Sequence, residues 1–326
     1  MTMWKYFPIT RHIYEWCWVR SHVYPSGYMP WRNLFSRTIR WHWRRFTKTL
    51  DQPTIIHLPY RPEIEILVTS LRHEYPLFVY HTPLYEAEFF LLPALVQPDM
   101  IALNIGAHIG VYTLALAQLL PKGHVYSFEP MLETYQHLRL NIAWNQLRGL
   151  IPENVTAYRL AFGDIDGETK LFLESSTMQA SLLAQQPLQP YEYVPAARLD
   201  TWLKQHSIDL VDLIVIDVEG AEDIVLRHAI TLFQQPRQPL ILCELNRKFG
   251  RQEAIWELLS QFGYRFWRYH SLRNCIEPVS NPYESAIYIH QTHLAHRGYG
   301  NVIAAPITWT PPPSPVISLS ESHSSI

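Results

Sequence analysis

Cysteine is scarce in this 326-residue chain, and an excess of either charge and long apolar runs are missing from it; each shortage removes a class of protein. Three cysteines, Cys17, Cys243 and Cys275, are too few and too scattered for a disulfide framework or a thiolate metal site, and an odd count suits a reducing compartment. Lysine and arginine total 27 against 29 aspartates and glutamates, so overall charge gives no case for a nucleic-acid partner. No run approaches the length of a membrane span and no charged leader with an apolar stretch opens the chain, which predicts cytoplasmic placement. What remains, at 48% apolar content, is a globular protein of one or two domains.

Charge and tryptophan are unevenly spread. Residues 1–50 carry a formal +8 and six of the eleven tryptophans, against −10 for the remainder. The stretch WRNLFSRTIRWHWRRFTK (31–48) sets aromatics among cations. One reading is peripheral membrane contact through a helix lying on an anionic surface; the other is a helix packed on the main domain with its basic side chains snorkelling at the edge. Residues 1–83 therefore read as a basic, Trp-rich helical segment followed by a small β prelude, and 292–326 as a Pro- and Ser-rich tail that buries too little surface to order.

Between 84 and 291 apolar runs alternate with segments of helical spacing. MIALNIG, HVYSFEP, VTAYRLAFG, VDLIVIDVEG and PLILCEL read as strands, and VYTLALAQLL, LETYQHLRLNIAWNQ, LDTWLKQ, AEDIVLRHAITLF and QEAIWELLSQFG as helices, with Asp200 as the N-cap of LDTWLKQ. ETKLFLE is an added strand, and YRFWRYH with ESAIYIH a final strand pair. Strands joined through helices need crossover connections, which predicts an α/β fold with a mostly parallel sheet, helices on both faces and ligands at the carboxyl ends of the strands.

The chemistry gathers at those ends. In NIGAHIG (104–110) a strand runs into Gly106, which lets backbone approach a ligand, and Gly110, which turns the chain into a helix whose free N–H groups face an anion. The next strand ends in SFEP, where Glu129 offers two acceptor oxygens to the cis-diol of a ribose and Phe128 can line an adenine slot. The third ends in AFGD, which sets Asp164 where an adenine amino group would be met, although aspartate also simply favours turns. The fourth ends in IDVEGAED. Asp217 and Glu219 leave it directly into the cleft, while Glu222 and Asp223 suit a helix N-terminus. Glu244, in LCELN, ends the fifth.

These motifs, NIGAHIG, SFEP, the AFGD turn, ARLDTWL, VDLIVIDVEGAE and LILCEL, in this order and spacing, resemble the FkbM family of methyltransferases over about residues 84–291. The resemblance implies a Rossmann-like sheet with an antiparallel last strand, S-adenosylmethionine as cofactor, and O-methylation of a hydroxyl on a sugar, glycolipid or natural product. It makes Asn104, Gly106, His108, Gly110, Glu129 and Asp164 the cofactor-binding set. Asn104, His108 and Val215 stand where the family usually has Asp, Asn and Lys, which motivates a second reading: a catalytically silent cofactor-binding or scaffold protein on the same fold. An NAD-dependent enzyme would use Glu129 equally well but lacks the third glycine.

Methyl transfer to a hydroxyl needs a base, and Asp217, then Glu244, then Glu219 are the candidates. Asp217, Glu244 and Asn246 also resemble the oxygen ligands of a divalent ion, but strand-end carboxylates more often cap helices or meet substrate hydroxyls, so no metal is assigned. The stretch 175–195 is expected over the cleft, shaping acceptor choice.

Overall fold

Segments such as IALNI, LIVI and LILCE are apolar along almost their whole length, so they are stable only with cover on both faces, and crossover helices supply it. The computed structural model describes His42, Phe46 and residues 52–58, 64–69, 87–173, 180–184, 187–245, 251–270, 275–281 and 301–312. The chain runs through strands β1 (Thr54–Leu58) and β2 (Ile64–Val68), helix α1 (Ala87–Leu95), β3 (Ile101–Ile105), α2 (Val111–Leu119), β4 (His124–Phe128), α3 (Leu132–Leu147) and β5 (Val155–Tyr158). There follow β6 (Ala161–Phe162), β7 (Gly167–Leu173), β8 (Ala180–Ser181), β9 (Tyr191–Ala197), α4 (Leu199–Gln205), β10 (Leu213–Ile216), α5 (Glu222–Leu226) and α6 (Ile230–Phe233). The last elements are β11 (Leu240–Glu244), α7 (Gln252–Gln261), β12 (Tyr264–His270), β13 (Cys275–Val279) and β14 (Asn301–Pro306).

Among the described residues the main sheet has eight strands in the order β13-β12-β14-β11-β10-β3-β4-β5. The five from β11 to β5 are mutually parallel, and β14 is inserted antiparallel between β11 and β12. Alternate residues feed two cores. Ala102, Leu213, Val215 and Leu242 face α1, α2, α3 and the β1–β2 hairpin, while Leu103, Ile214, Ile216 and Ile241 face α4 to α7. Each fully buried leucine contributes roughly 2 kcal/mol of hydrophobic stabilisation. A smaller sheet, β6-β9-β7-β8, is grafted between β5 and α4.

Several boundaries differ from the sequence reading. The tail expected to stay unordered from 292 supplies β14, whose Val302, Ile303, Ala304 and Ala305 are buried, and Trp309 beyond it rests on Trp267. A short apolar run suffices to fill a slot between two strands, whatever the average composition around it. The final pair is accordingly β12 with β13 and β14, and ESAIYIH (284–290) lies outside the described residues. VTAYRLAFG breaks after Tyr158, one half in each sheet. AEDIVLRHAITLF breaks into α5 and α6, and Asp200 caps α6 rather than its own helix, accepting from the Ile230 and Thr231 N–H groups. Among the described residues no helix is long and apolar enough to cross a membrane. The segment 31–48 lies, apart from His42 and Phe46, outside them, as does LFVYHT (77–82).

Candidate active site

The turn after β3 is built from backbone. Gly106, at φ +82°, and Ala107 both donate to the Phe128 carbonyl, at 3.0 and 2.9 Å. A Cβ on Gly106 would lie 1.7 Å from the Asp217 carbonyl oxygen, so only glycine lets the ends of β3 and β10 close on each other. His108 (φ +49°) and Gly110 (φ +103°) complete the left-handed bend into α2. The bend aims the His108 N–H at Glu129 Oε2, 3.0 Å away, while Oε1 accepts from the Met131 N–H at 3.0 Å. Each carboxylate oxygen keeps a further lone pair for a hydroxyl donor. Burial pushes the Glu129 carboxyl up to about 7, opposed by the Met131 and His108 N–H groups and reinforced by the charges of Asp217 and Glu192.

Not every expected residue joins this group. Asn104 is buried and donates to Thr113 Oγ1 at 2.9 Å, which in turn meets Ser127 Oγ at 2.9 Å, so it ties α2 to β3 and β4 beneath the turn. The Phe128 ring does not line a slot; it is fully buried among Tyr158, Phe162 and Trp202. Asp164, expected at the adenine amino group, is instead paired with Arg227 (2.9 Å) and His228 (3.0 Å), because its turn belongs to the smaller sheet and faces the α5–α6 junction.

A second group assembles at the ends of β10 and β11. Asp217, Glu222 and Glu244 each bring an oxygen within 4.8 Å of the others. Glu222, assigned from sequence to a helix dipole, turns back and accepts from the Val218 and Gly220 N–H groups at 3.0 and 3.1 Å. Asp223 instead forms a bidentate pair with Arg251 on the loop before α7. Glu219 sits at φ +54°, and its carbonyl accepts from the Ser181 hydroxyl of β8 at 2.9 Å, which brings part of the 175–195 stretch to the site. Burial raises the Glu222 carboxyl to about 7, with the Asp217 charge adding to it. Glu244 is held well above the ordinary carboxylate range by burial, then by the charges of Asp217, Glu219 and Glu222, and it shares a hydrogen bond with Asp217. The sequence marked Glu222 only as an acid at a helix start; Asn246 lies outside the described residues.

A mostly parallel sheet with an antiparallel strand inserted beside β11, a glycine turn after its central strand and an acid ending the neighbouring strand define a Rossmann-like class I methyltransferase fold. The chain belongs to the FkbM methyltransferase family: the Methyltransferase FkbM domain matches residues 104–266, half of its length. A curated relative, the 2-O-methyltransferase NoeI of Sinorhizobium fredii (strain NBRC 101917 / NGR234), is 26% identical over 152 residues, which cover 42% of this chain and 60% of that protein. Solved structures with similar chain traces include the FkbM methyltransferase of Methylobacillus flagellatus KT (TM-score 0.40, 13% identity, 70% of this chain and 51% of that one). Another is P. horikoshii TYW2 in complex with MeSAdo (TM-score 0.43, 13% identity, 82% of this chain and 81% of that one). The cofactor of the family is S-adenosylmethionine. The residues present fit it: a turn with no room for a side chain at Gly106, and a buried acid with acceptor capacity left on both oxygens.

Proposed function

We propose that this protein is an O-methyltransferase acting on a hydroxyl of a sugar, glycolipid or other small natural product. The observation that carries the reading is the carboxylate group of Asp217, Glu222 and Glu244, set across the Gly106 contact from Glu129. Bound S-adenosylmethionine supplies an electrophilic methyl group on a sulfonium. Glu129 would hold the ribose hydroxyls, and the Gly106–Gly110 turn would present its backbone to the cofactor. A hydroxyl acceptor becomes a competent nucleophile only as its proton leaves, and Asp217, the exposed member of the group, is placed to take it. Glu244, its proton retained by burial, donates to Asp217 and orients it. Glu222 holds the 218–220 turn in place from behind.

The family departures do not favour the silent alternative. The contact at His108 runs through its backbone N–H, so the side chain there does not decide it. Val215 is a buried sheet residue in register with Asn104, and its side chain joins the apolar core under that face of the sheet. The acceptor class also draws support from the relative named as a 2-O-methyltransferase.

The test is transfer of labelled methyl groups from S-adenosylmethionine to a panel of oligosaccharides, glycolipids and polyhydroxylated small molecules. The expected product is an alkali-stable methyl ether, and Asp217→Asn should lower kcat roughly a hundredfold to ten-thousandfold with cofactor affinity unchanged. Label released by mild alkali would mark a methyl ester and overturn the hydroxyl reading, and full activity in the variant would remove Asp217 from the chemistry.

A further inference from the structure

Strand β2 lies outside the family-matched segment, pairs with β1 along one edge, and presents the N–H and C=O groups of alternate residues along the other. An open strand edge needs partners. Here two asparagines one helical turn apart on α3 act as a surrogate strand. Asn145 accepts from the Glu65 N–H at 3.0 Å and donates to the Glu65 carbonyl at 2.6 Å, and Asn141 accepts from the Leu67 N–H at 2.7 Å. Among the described residues the Asn145 side chain bonds to the hairpin and to its own helix. Asn141 reaches further: its Nδ2 donates to the Ile109 carbonyl at 2.9 Å.

That carbonyl sits in the middle of the cofactor turn, between His108, whose N–H holds Glu129, and Gly110. Both Ile109 and Asn141 are buried, at 1% and 0% exposure, so water does not replace the bond if it is lost. Without that donor the Ile109 carbonyl is left buried and unpaired while the same peptide's N–H still donates to the Ala107 carbonyl at 2.9 Å, so any shift that re-pairs the carbonyl changes ψ at Ile109 and φ at Gly110 and strains the Ala107–Gly110 turn that carries the His108 N–H.

We propose that Asn141 is a positioning residue that couples the β1–β2 hairpin to the cofactor turn, one amide group holding the Leu67 N–H and the Ile109 carbonyl in register. Asn145 is the internal control, because it docks the same hairpin without touching the turn. The full chain is examined by calorimetry with S-adenosylhomocysteine and by thermal unfolding. Asn141→Leu and Asn145→Leu should both lower Tm, but only the first should weaken S-adenosylhomocysteine binding, by tenfold or more, with Asn145→Leu within about twofold of wild type. Asn141→Asp, which keeps the acceptor for Leu67 and places an oxygen against the Ile109 carbonyl, should weaken it similarly. Coupling is reciprocal. Saturating the wild-type protein with S-adenosylhomocysteine should therefore slow amide exchange at Leu67 at least threefold, a measurement that needs no variant to fold. Equal losses of affinity in the two leucine variants, unchanged affinity in a folded Asn141 variant, or unchanged exchange at Leu67 would each reduce Asn141 to a structural residue and overturn the proposal.

Discussion

The two halves of the site meet at Gly106 and are made differently. On the Glu129 side a single acid is held by N–H groups from the two turns flanking it, so the geometry is a property of backbone bends near that residue. On the Asp217 side the acids come from two strands and a helix start, and the Glu222 and Glu244 carboxyls are raised by burial first and then by neighbouring charge, that of Asp217 included. A backbone-built half suits a constant ligand such as the cofactor we propose for it; a half built from coupled side chains is suited to moving a proton.

The largest effect should come from destroying the contact between the halves. Gly106→Val, which drives a Cβ into the Asp217 carbonyl, should destabilise the protein by about 4 kcal/mol or more and abolish S-adenosylhomocysteine binding, read by thermal unfolding and calorimetry. Next is the cofactor half alone. Glu129→Gln should weaken binding roughly thirtyfold, the loss of a charge-assisted hydrogen-bond acceptor. Because the Glu129 carboxyl stands at about 7 and the bound diol requires its ionised form, wild-type affinity should fall as pH drops below 7 while that of the variant stays flat between pH 6 and 8.

The coupled half should show itself in stability. Glu222 has a folded value of about 7 against an ordinary 4.5, so the folded state holds its proton more tightly than the unfolded chain does. Its contribution is fully present below 4.5 and is lost as pH rises through about 7. Glu129 acts in the same direction. Tm should thus decline from pH 5 to pH 8, and Glu222→Gln, which keeps the acceptor oxygen but not the proton, should flatten part of that decline and raise Tm at pH 8. A variant less stable than wild type at pH 8 would show that the carboxylate is compensated by a partner instead. Smallest should be Asp164→Asn: its pairs with Arg227 and His228 are about half exposed, so the loss should stay under about 1 kcal/mol with cofactor affinity unchanged. A tenfold loss of affinity would return Asp164 to the adenine pocket.

Legibility followed the same division. NIGAHIG and SFEP announced Gly106, Gly110 and Glu129 because a glycine turn and a strand-end acid are local features. Asp217 and Glu244 were legible as strand ends, but not Glu222 as the third member, since its return onto the Val218 and Gly220 amides depends on how the 217–222 turn closes. The pairing of Asp164 with Arg227 and His228 was not legible, because the strand leading to it changes sheets after Tyr158, a break that VTAYRLAFG carries no mark of. β14 was hidden for a related reason: VIAA is too short to stand out within a Pro- and Ser-rich region.

By itself, then, the sequence determined the alternation of strands and helices, the parallel character of the sheet, the glycine turn after its central strand and the acid that ends the next one, because periodicity, glycine conformation and strand-end position are settled within a few residues of chain. Only the tertiary structure decided where β14 would insert, which acids would gather within reach of one another, and that Asn141 would join a hairpin to the Gly106–Gly110 turn 32 residues away. Those outcomes depend on which distant segments become neighbours and lose their water together, and no local stretch of residues carries that information.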